Sequence, residues 1–219
     1  MTNKQISIQE ATDYFKDGMT IMVGGFLAVG TPDVLIDALI EQKVQNMELI
    51  ANDTGFPDKG VGRLVVSRQL SKVIASHIGT NPETGKQMIA QEMDVELVPQ
   101  GTLAERVRCG GAGLGGVLTS TGIGTVVEEG KQKLSVNGVE YLLEEPLRAD
   151  LALIRAKKAD KAGNLIYDKS ARNFNPLMAM AADVVIAQVD ELVEVGEIKP
   201  DEVMTPGVVV DKIVYLGGC

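Results

Sequence analysis

Residues 17–32 read Asp-Gly-Met-Thr-Ile-Met-Val-Gly-Gly-Phe-Leu-Ala-Val-Gly-Thr-Pro, and this stretch decides the fold class of the 219-residue chain. Its apolar run at Thr20–Val23 predicts a buried strand, and glycines follow the run at once. Thr31 and Pro32 then predict the N-cap and the first residue of a helix. Such a strand–glycine–helix passage holds phosphates in many α/β proteins, because free backbone N–H groups and the helix dipole attract anions. The stretch predicts either an anion-binding loop at residues 24–30 or a bare turn.

The rest of the first half alternates short apolar runs with helical patterns. This alternation predicts βα units and a parallel sheet. One of the helices is expected over residues 102–108, ending at the glycines of residues 110–113.

Antiparallel hairpins are expected in the second half. Asn137-Gly138 lies between two alternating stretches, and a type I′ turn there needs a positive φ twice. A second hairpin is expected around residues 160–164. No linker and no internal repeat stand out, so we expect a single domain over residues 1–219. Its predicted fold is α/β, with an open, mostly parallel sheet flanked by helices and inserted antiparallel hairpins.

Composition excludes several classes of function. The formal net charge is −9, whereas a nucleic-acid partner requires clustered Lys and Arg, so we expect no nucleic acid. No apolar run is long enough to span a membrane, and no leader is visible, so we expect a cytoplasmic protein. Cys109 and Cys219 are expected to be free thiols, and no metal-ligand spacing appears. His77, the single histidine, is expected to be packed at a strand end.

Several motifs in a fixed order resemble the α subunit of family I CoA-transferases over nearly the whole chain. The first is the opening stretch, read as Asp-Gly-x-x-(three apolar)-Gly-Gly-Phe-x-x-x-Gly-x-Pro. The others are Pro-Gln-Gly-Thr-Leu-Ala-Glu-Arg at residues 99–106, Gly-Gly-Ala-Gly at 110–113, Thr-Gly-Ile-Gly-Thr at 121–125 and Ala-Arg-Asn-Phe-Asn-Pro-Leu-Met-Ala at 171–179. Among the members of that family, the chain resembles the acetate, butyrate and acetoacetate CoA-transferase α subunits.

The resemblance implies an enzyme that moves CoA between a short-chain acyl-CoA and a free carboxylic acid. In this family a glutamate carboxylate attacks the thioester, and CoA leaves as a thiolate from a mixed anhydride. The thiolate then attacks the glutamyl group, and the acceptor acid takes CoA by the reverse steps, which is covalent ping-pong catalysis. CoA is therefore expected as a substrate, and no permanently bound cofactor or metal is expected.

The resemblance also implies a partner chain. The nucleophilic glutamate of the family lies in a Ser-Glu-Asn-Gly-type motif of the β subunit, and this motif is absent here. We therefore assign no catalytic residue to this chain and expect it to act only with a β subunit, as α2β2 or larger.

Candidate contact residues follow from the loop and from the strand ends. The glycine loop is expected to contact CoA. The alternative is that this loop only shapes the subunit interface. The loop comprises Gly24, Gly25, Phe26, Leu27, Ala28, Val29 and Gly30. Asn52 ends a predicted strand, where ligands of open α/β sheets bind, and it either meets the substrate or makes an Asx turn. Gln100 and Gly101 follow a later strand and could reach the same crevice.

Other polar residues have competing interpretations. Arg172 and Asn173 either contact an anionic substrate or lie at the subunit interface, and Asn175 is interpreted as a helix N-cap. Glu105 and Arg106 are expected to form an ordinary solvated or interface pair.

Two other functions remain open from the sequence. One is a non-catalytic CoA- or nucleotide-binding regulatory domain of the same fold. The other is a phosphosugar isomerase or a dehydrogenase, for which Asp53 would be the acidic residue that binds the ribose, although the glycine spacing does not fit.

Overall fold

A nine-stranded sheet forms the centre of the computed structural model, which describes residues 3–217. The strands of the described residues, in order, are β1 (Gln5–Ile6), β2 (Thr20–Val23), β3 (Met47–Ile50), β4 (Leu70–Ala75), β5 (Asp94–Leu97), β6 (Val117–Thr119), β7 (Lys133–Val136), β8 (Val139–Glu144), β9 (Ala149–Asp160), β10 (Leu165–Ile166), β11 (Ala182–Val193) and β12 (Lys212–Tyr215). The helices are α1 (Ile8–Thr12), α2 (Asp33–Gln42), α3 (Gly62–Val66), α4 (Pro82–Ile89), α5 (Gln100–Ala112) and α6 (Asn175–Met180).

Strand pairing confirms the predicted fold class. The large sheet runs in the order β1-β12-β11-β9-β2-β3-β4-β5, and every pair along this path is parallel. β10 adds an antiparallel partner to β9, and β6, β8 and β7 form a separate antiparallel sheet of three strands. Because β2 lies between β3 and β9, the loop after β2 emerges near the middle of the large sheet.

Two hydrophobic clusters cover the two faces of the large sheet. Successive residues of a strand point to opposite faces, so Ile21 and Val23 join one cluster while Met22 joins the other. Residues of α1, α2 and α3 complete the first cluster, and residues of α5 and α6 complete the second. Both faces are therefore buried, as parallel sheets require, and polar function is confined to the strand ends and loops.

Both predicted hairpins form. Asn137 and Gly138 have φ of +52° and +79°, the conformation of a type I′ turn, and they join β7 to β8. The second hairpin joins β9 to β10, where the Asp160 carboxylate accepts the N–H groups of Ala162 and Asn164, each at 3.0 Å.

The start of α2 differs from the prediction that Thr31 is its N-cap. The helix begins at Asp33, and no side chain of the preceding residues caps it. The Val34 N–H instead donates to Gln188 Oε1 of β11 at 3.0 Å. Thr31 is buried, and it lies against the loop that follows β2. The cap therefore comes from a residue 154 positions away, which local sequence patterns cannot indicate.

Helix α5 is longer than predicted. It runs through two glycines that were expected to end it, and it ends at Gly113 in the left-handed conformation. A Cβ on Gly110 would lie 1.9 Å from the carbonyl oxygen of Leu147. Gly110 therefore allows close approach of a neighbouring segment instead of ending the helix.

Candidate functional site

The glycine-rich loop after β2 closes on itself as a tight turn. We call residues 24–30 loop one. Phe26 and Val29 exchange two backbone hydrogen bonds, with N···O distances of 3.0 and 2.9 Å. Leu27 and Ala28 between them have φ of +44° and +70°. Non-glycine residues avoid this left-handed region, so the surroundings must hold the turn in place.

Asn175 anchors loop one to the fold. Its Nδ2 donates to the carbonyl oxygens of Gly30 at 3.0 Å and Ala171 at 2.8 Å, and its Oδ1 accepts the Arg155 N–H at 3.0 Å. The expectation that Asn175 is an N-cap is wrong, since it is the first residue of α6 and its side chain points to the loop. Asn173 also anchors the loop, through an Nδ2 hydrogen bond to the Val29 carbonyl at 3.0 Å.

The backbone of loop one offers hydrogen-bond donors. Leu27 donates its N–H to Asp53 Oδ2 at 3.0 Å, and Gly24 donates to the Leu153 carbonyl at 2.9 Å. Within the described chain, no protein acceptor takes the N–H groups of Gly25 and Ala28, and both residues are half-buried. Such N–H groups are suited to bind an oxygen atom of a ligand.

A second loop repeats the sequence pattern of loop one but not its backbone conformation. We call residues 54–60 loop two; it follows β3, the strand next to β2. Phe56 and Lys59 face each other across its turn, where the Lys59 N–H donates to the Phe56 carbonyl at 3.2 Å. The positive φ values of Leu27 and Ala28 have no counterpart at the two central residues of loop two. Both loops read Gly-Phe-x-x-x-Gly, thirty positions apart. This shared pattern is the signal by which loop two could be found in the sequence.

The two loops touch each other. A Cβ placed on Gly60 of loop two would lie 3.1 Å from the Cβ of Ala28 in loop one. Asp53 connects them as well, because its Oδ2 accepts from Leu27 and its Oδ1 accepts the Gly55 N–H at 2.7 Å. The carboxyl ends of β2 and β3 therefore carry one joined surface.

Asn52 and Gln100, predicted from separate strand ends, meet in the structure. Gln100 Nε2 donates to Asn52 Oδ1 at 2.7 Å, and Asn52 Nδ2 donates to Asp53 Oδ2 at 2.6 Å. Asn52 is buried, whereas Gln100 is exposed at the first residue of α5. The Asx turn considered for Asn52 is made by its neighbour Asp53, whose carboxylate accepts the N–H two residues on.

Gly101 lies beside Gln100 in the first turn of α5 and is exposed. A Cβ placed on Gly101 would meet no atom within 4 Å. The space next to Gln100 is therefore open to a ligand on the surface of this chain.

A cleft of about 320 Å³ opens beside loop one. Ala28, Val29 and Gly30 form one wall, and Arg155 and Lys157 bring cationic groups to it. Arg155 is paired with Asp190 at 3.1 Å, while Lys157 is exposed. The acidic residues that line the cleft are aspartates, and none of its lining residues is a glutamate. Two aspartates balance the two cations of the lining, so the exposed Lys157 is the group that suits an anionic ligand there, and the described lining contains no glutamate nucleophile.

Four other expectations concern single residues. His77 is exposed after β4, so the expectation that it is packed is wrong. Arg172 is exposed and lines a cavity with Asp201 and Glu202, and the choice between substrate contact and a subunit interface for it stays a prediction. Cys109 is a buried free thiol, as predicted, and Cys219 lies outside the described residues.

Arg106 is not a solvated or interface residue paired with Glu105, as was expected. It is buried, and its guanidinium donates to Glu96 Oε1 at 2.6 Å and to the Glu145 carbonyl at 2.9 Å. Partial burial raises the pKa of the Glu96 carboxyl, but the hydrogen bond and charge of Arg106, with Lys72 and Lys131, together lower it below its usual value. Glu105 instead pairs with Arg108 at the surface.

Residues 3–217 contain neither a cluster of metal-ligand side chains nor a helix that could span a membrane. No group of three or more His, Cys, Asp or Glu side chains there is placed to hold a metal ion. None of the helices in that range combines the length and the apolar character that crossing a membrane requires.

Sequence comparisons identify relatives over almost the whole chain. The family described as Coenzyme A transferase matches residues 5–216. Acetate CoA-transferase subunit alpha of Escherichia coli K12 is 63% identical over 98% of this chain and 97% of its own length. The acetoacetyl-CoA:acetate/butyrate CoA transferase alpha subunit of Clostridium acetobutylicum is 52% identical over 98% of both chains.

Solved structures show the same fold. An acyl-CoA transferase of Escherichia coli O157:H7, in a thioester complex with CoA, superposes with a TM-score of 0.90 at 24% identity. The match covers 98% of this chain and 47% of that one, so this chain spans about half of that protein. Glutaconate CoA-transferase of Acidaminococcus fermentans gives a TM-score of 0.84 at 16% identity, over 97% and 75% of the two chains. The chain therefore belongs to the coenzyme A transferase family, as a homologue of its alpha subunits.

Proposed function

We propose that this chain is the α subunit of a heteromeric CoA-transferase that moves CoA between a short-chain acyl-CoA and a free carboxylic acid. Acetoacetyl-CoA, butyryl-CoA and acetyl-CoA are the proposed donors, and the matching acids are the acceptors. The observation that carries the proposal is the 63% identity, over 98% of the chain, to an acetate CoA-transferase alpha subunit. The polar surface at the ends of β2 and β3 supports it.

The proposed reaction is ping-pong, with a glutamate of the β subunit as nucleophile. Its carboxylate attacks the thioester carbonyl, the C–S bond breaks, and CoA leaves as a thiolate from an acyl-glutamyl anhydride. The thiolate attacks the glutamyl carbonyl, which releases the first acid and leaves a glutamyl-CoA thioester. The acceptor acid then takes CoA by the reverse sequence. The absence of a glutamate among the residues lining the cleft beside loop one supports a nucleophile on the partner.

Loop one is proposed to contact CoA through residues 24–30. The N–H groups of Gly25 and Ala28 are available as donors, and the turn that presents them is anchored by Asn175 and Asp53. A preorganised donor stabilises developing negative charge without reorganising during the reaction. The cleft beside the loop also contains Lys157, which suits an anionic portion of the same ligand.

Gln100 and Gly101 are proposed to contact the acid group, with Asn52 as the third member of this site. Gln100 is exposed and Gly101 leaves open space beside it, so a substrate reaches these two first. Asn52 lies buried beneath Gln100 and is bonded to it. Which acid is preferred depends on pocket shape, because one methylene changes binding by only ~1–3 kcal/mol.

The partner is proposed to be a CoA-transferase β subunit, in an α2β2 or larger assembly. We further propose that residues 1–219 act as one domain, which is supported by the pairing of the first and last strands, β1 and β12, in one sheet. The cytoplasmic location expected from the sequence stays a prediction, as does the expectation that no cofactor is permanently bound.

The function is tested by CoA exchange from acetoacetyl-CoA to labelled acetate. The chain alone, its partner subunit alone and the mixture are compared. Exchange only in the mixture supports the α-subunit proposal, and a partner variant without the glutamate of its Ser-Glu-Asn-Gly motif serves as the inactive control. Exchange by this chain alone would place the nucleophile here and overturn the assignment. CoA binding without exchange in the mixture would favour the regulatory-domain alternative.

Gln100→Ala tests the proposed acid contact within the active mixture. Loss of a hydrogen bond to a charged group lowers kcat/KM for the acid by roughly 10- to 100-fold. Gln42→Ala, at an exposed glutamine that ends α2, is the matched control and should leave kcat/KM unchanged. Equal values for both variants would remove Gln100 from the site.

A further inference from the structure

Asp53 is a buried carboxylate with no part in the proposed chemistry. It is 3% exposed, and no lysine or arginine in residues 3–217 forms an ion pair with it. Three donors satisfy it instead: the N–H groups of Leu27 and Gly55, and the side-chain amide of Asn52. A buried charge is expensive, so such an arrangement calls for an explanation.

The hydrogen bonds around Asp53 have a direction. An ionised carboxylate only accepts hydrogen bonds, so Asn52 must present its NH2 group to Asp53. The carbonyl end of the Asn52 amide then faces Gln100, where it accepts from Gln100 Nε2 at 2.7 Å. Ser76 Oγ also lies 3.4 Å from this Asn52 oxygen. The chain of bonds therefore runs from Gln100 through Asn52 to Asp53 and determines which way the Gln100 amide is turned.

Both ends of the chain of bonds are held by the fold. Asp53 is held by N–H groups from loop one and loop two, at 3.0 and 2.7 Å. Gln100 is the first residue of α5, so its backbone position is set by that helix. With one Nε2 hydrogen bonded to Asn52, Gln100 keeps its other N–H and its Oε1 for a ligand.

We propose that Asp53 is a positioning residue, which orients the Gln100 amide through Asn52 so that Gln100 presents one N–H to the substrate acid. This proposal rests on the proposed function of Gln100. It assigns to Asp53 an indirect effect on acid recognition, without contact to the substrate. It also gives Asp53 a different use from the ribose contact of a dehydrogenase, since three protein donors already occupy its carboxylate.

The near-isosteric variant Asp53→Asn tests the direction of the bonds. An asparagine cannot accept from Leu27, Gly55 and Asn52 at once, because one of its two ends donates. In the assembled enzyme we expect kcat/KM for the acid to fall about 10- to 100-fold, the effect of losing a hydrogen bond to a charged group. Asp58→Asn, which removes an exposed carboxylate from the tip of loop two, should stay within about twofold of wild type.

A double-mutant cycle separates positioning from a merely structural effect. If Asp53 acts through Gln100, the Asp53→Asn change should cost at least about fivefold less in a Gln100→Ala background than alone. If the kcat/KM losses of Asp53→Asn and Gln100→Ala simply multiply in the double variant, the proposal is overturned. Equal losses of kcat/KM in Asp53→Asn and Asp58→Asn would also overturn it. If Asp53→Asn does not assemble with the partner, Asp53→Glu is used instead, since it keeps the charge but displaces it. The proposal then requires a reduced kcat/KM for the acid in Asp53→Glu. A wild-type kcat/KM would overturn the proposal.

A measurement without catalysis makes the two proposals independently testable. Solvent exchange of the Gln100 side-chain amide protons, followed by NMR on the full chain, reports on the Gln100–Asn52 bond. We expect Asp53→Asn to accelerate this exchange about tenfold or more, as loss of a protecting hydrogen bond of roughly 1.4 kcal/mol would, and Asp58→Asn to leave it unchanged. Unchanged exchange in both variants would overturn the proposal about Asp53. A wild-type assembly that transfers no CoA would instead overturn the proposed function.

Discussion

At the scale of single residues, the most informative feature is the strained turn of loop one, whose two central residues are neither glycine nor asparagine. Leu27 and Ala28 adopt positive φ, which local patterns assign to glycine or asparagine. The turn is held by cross-turn bonds, by Asp53 and by Asn175. Strain of this kind persists only where the surroundings determine the geometry, and it is concentrated at functional sites.

Gly24→Ala should disrupt this anchoring. The new Cβ would lie 1.8 Å from Oδ1 and 2.6 Å from Cγ of Asn175, a side chain fixed by its own hydrogen bonds. We expect a loss of about 1–3 kcal/mol in the free energy of unfolding, the usual range for overpacking, measured by urea denaturation. Activity of the assembled enzyme should fall as well, because loop one must move.

Gly85→Ala is the matched control for that variant. Gly85 lies in α4, and its added Cβ would meet nothing within 4 Å. The substitution should stabilise the protein by about 0.5–1 kcal/mol, since alanine favours a helix. If Gly24→Ala were as stable as Gly85→Ala, the close contact with Asn175 would be disproved as a constraint.

At the scale of elements, buried ionic contacts join the small antiparallel sheet to the large one. Arg106 of α5 reaches Glu96 of β5 at 2.6 Å and lies 3.9 Å from Glu144 of β8. Glu144 is 1% exposed and also pairs with Lys131 at 2.6 Å. The ion pairs thus cross from the edge strand of one sheet to the middle strand of the other.

Arg106→Met should weaken this junction strongly. It keeps most of the side-chain volume but leaves Glu96 and the Glu145 carbonyl without their donor. We expect a loss of about 1.5–3 kcal/mol in the free energy of unfolding at neutral pH, because the half-exposed Glu96 and the Glu145 carbonyl lose their hydrogen bonds to a charged group. Arg108→Met, on the same helix but in an exposed pair with Glu105, should cost under ~1 kcal/mol.

The stability difference between wild type and Arg106→Met should depend on pH in a defined direction. The folded-state pKa of Glu96 is lowered, so its contribution to stability is present above the unfolded-state pKa and is lost as pH falls through the folded-state pKa. Denaturation of wild type and Arg106→Met should therefore converge as the pH drops below ~4. A gap that does not depend on pH would show that packing, and not the Glu96 charge, causes the loss.

At the scale of the whole molecule, the two ends of the described chain lie side by side. β1 pairs in parallel with β12 at the edge of the large sheet, and the Ile213 N–H donates to the Lys4 carbonyl at 2.9 Å. The Lys4 ammonium donates to the carbonyls of Gly207 at 2.7 Å and Val210 at 2.6 Å. One side chain from the start of the chain therefore organises the segment that leads into β12.

Lys4→Met should loosen this edge of the sheet. Two charge-assisted hydrogen bonds to backbone carbonyls are lost, and we expect a cost of about 1.5–3 kcal/mol in the free energy of unfolding. Hydrogen exchange at the Ile213 amide should accelerate, while exchange at Ile21 in the middle of the sheet should follow only global unfolding. Lys43→Met, at an exposed lysine, is the control, and equal exchange in both variants would contradict the role of Lys4.

Much of the fold and part of the site could be predicted from local patterns. β2 has the predicted bounds and Asn137-Gly138 forms the predicted turn, because β-branched and apolar runs favour buried strands and because asparagine and glycine tolerate positive φ. The family resemblance placed the glycine loop, and strand-end reasoning selected Asn52 and Gln100. For the strand, the turn and the strand-end residues the information lies within a few positions along the chain, whereas the resemblance depends on several motifs in a fixed order.

The amino-acid sequence alone is enough for the fold class, the family and the segments of the candidate site. The three-dimensional contacts are needed to see that Gln188 caps α2, that the buried Arg106 pairs with Glu96, and that Asp53 joins two loops to Asn52 and Gln100. Local propensity reflects steric preferences of neighbouring residues, whereas these contacts join groups brought together by the parallel sheet. A hydrogen bond between residues far apart in the chain leaves no periodic pattern, so it becomes visible only when the strands are in register.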